Sequence, residues 1–226
     1  MRTSIFLFTF LSIKSLLIGY GFINPLSIKG FNKRILMNNN QNQNQNQNQN
    51  SGESEFPLTV KYYGDISTQN CLFLSETLKK MDQQSKILEI KNGCRIPIKL
   101  HFQSHGGELL PSFYICDLIK NLETPVHIYI DGYVASAASL ISVCGDKRFM
   151  TKNSCILIHQ LKSKLSGKFN EMEDEIKNLN FFMNNLRYIY LNNSKINPEK
   201  LEKLLSTDIW IGADECLKLG LVDKII

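Results

Sequence analysis

The sequence predicts an α/β fold with a mainly parallel sheet, because strand-like and helix-like segments alternate along most of the chain. Residues 58–63 and 96–102 alternate polar and apolar side chains, and residues 126–130 form an apolar run typical of a buried strand. Residues 167–191 form the longest helix-like segment, whose apolar side chains recur at helical spacing on one face. That face carries Phe169, Met172, Ile176, Leu179, Met183, Leu186 and Tyr190.

The remaining elements keep the same alternation. Ser67 is suited to cap a helix that runs through Lys80, and Gly132 with Tyr133 is expected to break the strand that begins at Val126. Further helices are predicted at residues 109–118, 135–143, 198–205 and 213–219, and further strands at residue 149, residues 155–158 and residues 209–211.

Four segments divide the chain. Residues 1–22 resemble a secretory-type signal, with Arg2 ahead of a short apolar run, and residues 23–37 form a basic stretch typical of a transit peptide. Residues 38–56 form an Asn/Gln-rich linker, which carries too little apolar surface to offset the entropy of ordering the chain. The folded domain is therefore expected over residues 57–226.

The first two segments also indicate a destination. No Asp or Glu precedes Glu53. A signal followed directly by an acid-free, transit-like stretch resembles the two-part leader of proteins that enter plastids bounded by extra membranes. The leader therefore predicts an organelle, with a plastid preferred and a mitochondrion as the alternative.

Composition and charge exclude several classes of protein. The 226 residues are 43% hydrophobic and 21% charged, which suits a globular domain and excludes a wholly disordered chain. The net charge of +5 comes without a dense Lys/Arg block, so nucleic-acid binding is not expected. No apolar run approaches the roughly 18 residues of a spanning helix, so membrane insertion is not expected either. The six cysteines lack metal-site spacing and are expected to be reduced and mostly buried.

A candidate nucleophile and a candidate base follow two of the predicted strands. Hydrolysis by serine needs a hydroxyl, an imidazole to take its proton, an orienting carboxylate, and N–H donors for the oxyanion. Ser136 lies among small residues at the start of a helix, where free N–H groups are available, although a helix cap would look the same. His159 follows the apolar strand 155–158, and Asp208 precedes the apolar segment 209–211. The rival histidines are His101, His105 and His127.

Five motifs in order resemble those of the Clp protease proteolytic subunits, the serine peptidases of the ClpP/crotonase superfamily. The resemblance extends from about Tyr63 to Ile226. The motifs are Ser104-His105-Gly106-Gly107, Gly132-x-x-Ala135-Ser136, the segment from Gly145 to Ser154, Ile158-His159-Gln160, and Gly220-Leu221-Val222-Asp223.

The resemblance implies roles for individual residues. Ser136 would be the nucleophile, His159 the general base and Asp208 the orienting acid, with Asp214 as the competing acid. The backbone N–H groups of Gly107 and Ala137 would bind the oxyanion. No cofactor and no metal is implied, because ATP is used by the partner.

The resemblance also implies an architecture and partners. The fold would be ClpP/crotonase-like, with stacked ββα-type units and a projecting long helix, for which residues 167–191 are the candidate. The subunits would form homo- or hetero-heptameric rings stacked in pairs. An AAA+ unfoldase, the Clp ATPase, would feed unfolded polypeptides into the enclosed chamber, where they would be cut to short peptides.

The chain departs from the family pattern at several positions. His105 stands where the family has proline before Gly-Gly, and Leu161 stands where it has proline after Ile-His-Gln. Ala138 replaces a common glycine. Lys99 and His101 match positions that are usually aromatic and receive the docking loops of the unfoldase. We therefore expect weak docking by this chain alone, or a second subunit type that supplies the aromatic pocket.

Two alternative functions remain at this point. One is a non-catalytic subunit of a mixed ring, which the retention of both Ser136 and His159 disfavours. The other is an acyl-CoA enzyme on the related crotonase fold, which would need oxyanion donors but no Ser-His-Asp set.

Overall fold

The computed structural model describes residues 58–226, so the predicted signal, transit-like segment and linker lie outside the described residues. The strands are β1 (Thr59–Tyr63), β2 (Ile98–Ser104), β3 (Val126–Ala135), β4 (Lys147–Met150), β5 (Cys155–Leu157), β6 (Trp210–Gly212) and β7 (Lys224–Ile225). The helices are α1 (Thr68–Asn92), α2 (Leu109–Asn121), α3 (Ala137–Val143), α4 (Phe169–Asn193), α5 (Pro198–Leu205) and α6 (Ala213–Lys218).

The described strands form one sheet, which is parallel along the order β1-β2-β3-β4-β7. The strand β5 pairs in parallel with the far end of β3, and β6 runs antiparallel to β5. Helices connect most of the parallel strands, as their geometry requires. The prediction of an α/β fold with a mainly parallel sheet is therefore confirmed.

The third strand is longer than the sequence predicts. The expected break at Gly132 and Tyr133 is wrong, because β3 continues through both residues to Ala135. Residues before Gly132 pair with β4, whereas Tyr133 to Ala135 pair with β5. Gly132 has a φ of 91°, which a glycine adopts readily, so the strand can change partners there instead of ending. The hydroxyl of Ser154 accepts a hydrogen bond from the Gly132 N–H at 3.0 Å and stabilises the point where the strand changes partners.

The first helix is also longer than predicted. Its start is confirmed, because the Ser67 side chain accepts a hydrogen bond from the backbone N–H of Asn70. Its predicted end at Lys80 is wrong, and the helix continues to Asn92. Gly93 ends it in the left-handed conformation, and its N–H donates to the carbonyl of Glu89. Neither glycine nor proline occurs within the helix, so the chain offers no earlier point of termination.

The helix α4 projects from the body of the domain. Its buried side chains are Leu186 and Tyr190, both near its carboxyl end. The amino-terminal half leaves Phe169 68% exposed and Ile176 48% exposed, although both belong to the apolar face predicted from the sequence. One end of the helix therefore packs on the domain, and the other presents apolar side chains outward.

The cysteines and the helices of residues 58–226 can be compared with the sequence-based expectations. The cysteines are all free thiols, with Cys71, Cys116, Cys144 and Cys216 buried and Cys94 exposed. Within residues 58–226, no helix combines the length and the apolar character needed to cross a bilayer.

Candidate active site

Ser136 occupies a strained turn between β3 and α3. Its φ of 55° and ψ of −129° make it the one residue other than glycine, within 58–226, that has a positive φ. Such a conformation costs about 1–3 kcal/mol and persists only where neighbouring contacts hold it. The Ser136 N–H donates to the carbonyl of Leu157 at 2.9 Å, and its side chain makes no capping hydrogen bond to α3. The residue is half-buried, and its hydroxyl is not used as a helix cap.

The neighbouring Ser139 has a structural environment instead. It is fully buried, its hydroxyl donates to the Ser136 carbonyl at 2.6 Å, and it lies 2.6 Å from the Tyr190 hydroxyl. These contacts connect α3 to α4 beneath the strained turn. Of the two serines, Ser136 is the one that is accessible for chemistry.

The Gly106-Gly107 turn lies directly against Ser136. A Cβ built on Gly106 would lie 2.7 Å from the Cβ of Ser136 and 3.1 Å from the nitrogen of Ala137, so only glycine fits. Gly106 has a φ of 97°, and its N–H donates to the Ser104 hydroxyl at 3.0 Å. Gly107 and Ala137, the oxyanion donors that the family resemblance implies, are thus on segments in contact with one another.

The backbone N–H groups of Gly107 and Ala137 are not used in the neighbouring backbone pairing. The N–H of Ile66 donates to the Gly106 carbonyl and the N–H of Glu108 donates to the Ile66 carbonyl, which leaves the N–H of Gly107 outside this bridge. Ala137 is the first residue of α3, where a backbone N–H has no partner within the helix.

His159 and Asp208 lie opposite one another. The antiparallel pair β5–β6 aligns Leu157 with Trp210, so the two segments bring His159 and Asp208 together when the register continues. The Nδ1 atom of His159 and the Oδ1 atom of Asp208 are 3.9 Å apart, longer than a hydrogen bond. The side chain of Asp208 is 84% exposed. The structure brings the two residues together without joining them by a hydrogen bond.

The competing acid has a different setting. Asp214 lies in the first turn of α6, where a carboxylate interacts favourably with the helix dipole. Its position on the helix gives it a local structural role that Asp208 lacks.

Two of the three rival histidines lie on the sheet away from Ser136, and the third, His105, lies beside the glycine turn. His101 contacts Asp131, with Nδ1 2.9 Å from Oδ2, and stacks on Tyr129. Burial lowers the pKa of His127, and the nearby Lys147 lowers it further. His105 directly precedes Gly106, and its ring packs against Tyr133 at a centroid distance of 4.3 Å. Of the four histidines, His159 is the one that faces Asp208.

The two remaining glycine-containing motifs are structural. Gly145 lies against the Ile128 side chain, and Arg148 binds both carboxylate oxygens of Asp223, at 3.0 and 2.7 Å. Burial would raise the pKa of Asp223, but the hydrogen bonds and charge of Arg148 outweigh it, so the pKa is lowered. The motif that contains Arg148 and the motif that contains Asp223 therefore join β7 to β4.

The open side of β2, β3 and β4 carries more aromatic rings than the sequence suggested. Lys99 and His101 are half-exposed there. The His101 ring stacks on Tyr129 at 4.9 Å, and Tyr129 stacks on Phe149 at 4.7 Å. Neighbouring strands thus supply rings beside the two non-aromatic positions, and we call this surface the β2–β4 face. The sequence of β2 alone could not reveal these cross-strand neighbours.

Comparisons with known proteins identify relatives of this chain. The sequence profile of the family described as "Clp protease" matches residues 58–226. ATP-dependent Clp protease proteolytic subunit 1 of Protochlamydia amoebophila is 35% identical over 134 residues, covering 58% of this chain and 65% of that protein. Proteolytic subunit 2 of Treponema denticola is 32% identical over 152 residues, covering 66% of this chain and 76% of that protein.

A solved structure shows the same fold. A ClpP1 mutant from Listeria monocytogenes superposes with a TM-score of 0.65 at 25% identity, covering 75% of this chain and 91% of that one. The class defined by the fold and these relatives is that of the proteolytic subunits of Clp proteases. The chain belongs to the Clp protease family. This result favours a peptidase over the acyl-CoA enzyme considered above.

Proposed function

We propose that this chain is a serine endopeptidase, the catalytic proteolytic subunit of an ATP-dependent Clp protease that cuts unfolded polypeptides to short peptides. The observation that carries the proposal is the strained Ser136, which lies against the Gly106-Gly107 turn and is hydrogen-bonded to the strand that leads to His159. A non-glycine residue at positive φ is costly and is commonly kept where chemistry needs it.

In the proposed mechanism, Ser136 Oγ attacks the peptide carbonyl while its proton passes to His159. The oxyanion that forms is bound by the N–H groups of Gly107 and Ala137. His159 then gives the proton to the leaving amine, and an ester to Ser136 remains. Water hydrolyses the ester with His159 again acting as base, which restores the enzyme. Asp208 orients the imidazole, and closure of its 3.9 Å separation from His159 is part of forming the competent site.

A fluorophosphonate probe tests this proposal directly, because it labels an activated serine. The wild-type chain should be labelled and should cleave a fluorogenic peptide. Ser136→Ala should lose labelling and about 10⁴-fold or more in cleavage rate, while assembling normally. Ser139→Ala is the matched control and should still be labelled, because its hydroxyl is committed to Tyr190 and the Ser136 carbonyl. Absent labelling of the wild type would favour a non-catalytic ring subunit. Retained labelling in Ser136→Ala would show that another residue is the nucleophile.

The chain is also proposed to assemble into homo- or hetero-heptameric rings stacked in pairs, which an AAA+ unfoldase supplies with substrate. The exposed apolar residues on the outer half of α4 support assembly, since such a helix face needs a partner to leave water. The stacked rings of the β2–β4 face support docking of apolar loops there. The native mass and composition of the complex purified from its source test both the assembly and its subunit types.

The mature protein is proposed to act in an organelle, with a plastid preferred over a mitochondrion. The acid-free leader and the Asn/Gln-rich linker support this proposal. Amino-terminal sequencing of the native protein should find a start between Phe22 and Glu55. A native chain that starts at Met1 would remove the organelle assignment.

A further inference from the structure

Three aromatic rings pack in series across the segments that carry the candidate catalytic groups. The His105 ring lies 4.3 Å from the Tyr133 ring, at an interplanar angle of 33°. The Tyr133 ring meets Trp210 edge to face at 6.1 Å and 87°. Both distances are close to those at which aromatic rings attract one another. We call these three residues the aromatic clamp.

Each member of the aromatic clamp belongs to a different part of the site. His105 directly precedes Gly106, whose backbone touches Ser136. Tyr133 lies on β3, the strand that ends just before Ser136. Trp210 begins β6, shortly after Asp208. The clamp therefore connects the glycine turn, the nucleophile strand and the acid segment, with β5 running between Tyr133 and Trp210.

The backbone hydrogen bonds that join the glycine turn to another segment all act from the side of Ile66, and on the Ser136 side the turn is held by packing and by the Ser104 hydroxyl. The hydrogen bonds to Ile66 and the contact of Glu108 with Thr68, at 2.6 Å between Oε2 and Oγ1, hold it toward the start of α1. Glycines at positive φ resist displacement poorly, since each has many accessible backbone conformations. The His105 ring holds the turn from the other side, against β3.

We propose that His105, Tyr133 and Trp210 are positioning residues that hold the oxyanion turn and the Asp208 segment in register with Ser136. This inference rests on the proposed serine mechanism and assigns the clamp no proton transfer. Displacing oxyanion donors weakens binding of the transition state more than binding of the substrate. Loss of the clamp should therefore lower kcat and leave KM nearly unchanged.

The test measures fluorogenic-peptide kinetics and the rate of fluorophosphonate labelling on the assembled full chain. Tyr133→Leu removes both ring contacts and keeps apolar volume, and kcat should fall about tenfold. His105→Ala should lower kcat less, because only one contact is lost. His105→Phe should keep near wild-type kcat with an unchanged pH profile, because a ring is needed and an imidazole is not. Tyr114→Leu, which removes an exposed ring on α2 that contacts Lys79, is the matched control and should leave kcat unchanged.

A double-mutant cycle completes the test. The effects of His105→Ala and Tyr133→Leu should be less than additive, because both remove the same contact. The inference is overturned if Tyr133→Leu keeps wild-type kcat and labelling, or if His105→Phe is as slow as His105→Ala. Equal losses in Tyr133→Leu and Tyr114→Leu would also overturn it. Absent labelling of the wild-type chain would instead contradict the proposed serine mechanism itself, so the two failures are distinguishable.

Discussion

The two serines and the two aspartates near this site differ mainly in whether their side chains already interact with other groups of the protein. Ser139 commits its hydroxyl to Tyr190 and to the carbonyl of Ser136, whereas the side chain of Ser136 makes no capping bond to its helix. Asp214 lies at a helix amino terminus, whereas Asp208 is largely exposed and faces His159. A group used for catalysis must be free to exchange partners, and that property separates these pairs of identical residues.

Asp208 and Asp214 should respond differently to loss of their charge. Asp208→Asn should lower kcat for peptide cleavage by about 10²–10⁴-fold, because the neutral amide cannot stabilise the imidazolium that forms on His159. Asp214→Asn is the matched control and should retain activity, since Asp214 interacts with α6. Steady-state kinetics of the two assembled variants show which aspartate supports catalysis. The assignment of Asp208 is wrong if the two variants lose activity in the reverse order.

Elements of this fold are joined by a few specific side chains as well as by packing. Arg148 on β4 binds Asp223, just before β7, and also donates to the carbonyl of Asn193 at the end of α4. The parallel pair β4–β7 is very short, so its backbone hydrogen bonds alone stabilise it only weakly. The Arg148–Asp223 pair therefore helps to hold β7 on the sheet.

This pair gives the fold a predictable dependence on pH. Because Arg148 lowers the pKa of Asp223 in the folded state, the pair stabilises the fold above the ordinary carboxyl pKa of about 4. That stabilisation is lost as the pH falls through the lowered value, where the folded carboxylate gains its proton. Asp223→Asn should therefore lower the free energy of unfolding by about 1 kcal/mol at neutral pH, after allowance for solvent screening. The difference from wild type should shrink in denaturant titrations below the folded pKa, and a constant difference at every pH would contradict this account.

The exposed apolar face of α4 should be needed for assembly. Ile176→Glu places a charge on the exposed apolar face of the helix, and burying that charge in an assembly is costly. We expect a particle of lower mass by light scattering, with the fold of each subunit intact by circular dichroism. Asn178→Glu adds the same charge at an exposed position on the opposite side of α4 and should assemble normally. Assembly of Ile176→Glu to the wild-type mass would exclude this face as an interface.

At the scale of the whole molecule, the open side of the sheet is mixed in character. The stacked rings of His101, Tyr129 and Phe149 offer apolar surface. The carboxylate of Asp131 lies among them, bound to His101 and to the Tyr63 hydroxyl at 2.6 Å. Burial would raise the pKa of Asp131, but these two partners lower it, so this carboxylate of the β2–β4 face is ionised near neutral pH. Apolar docking loops would have to desolvate that charge.

The charge of Asp131 among the rings of the β2–β4 face predicts that a homomeric assembly binds the docking loops of an unfoldase weakly. The double variant Lys99→Tyr with His101→Tyr should bind an AAA+ Clp unfoldase about tenfold more tightly, because it adds apolar area and removes a cationic side chain. Titration of the unfoldase against the assembled chain measures the change. Lys80→Tyr is the control, since it replaces an exposed lysine on α1 and should leave the affinity unchanged. Unchanged affinity in the double variant, or tight binding by the unmodified homomeric assembly, would contradict the prediction.

Local sequence patterns predicted the class of fold, the candidate residues and most helix starts, because each of these depends on residues that are close along the chain. Ser67 caps a helix through its own side chain, and the apolar spacing of α4 is visible without any partner. The passage of β3 through Gly132 depends on tertiary contacts, because the strand changes its neighbour from β4 to β5 there. The strain at Ser136 and the aromatic clamp were likewise invisible in the sequence. They arise from contacts between segments far apart along the chain, and local residue preferences carry no information about which distant segments meet.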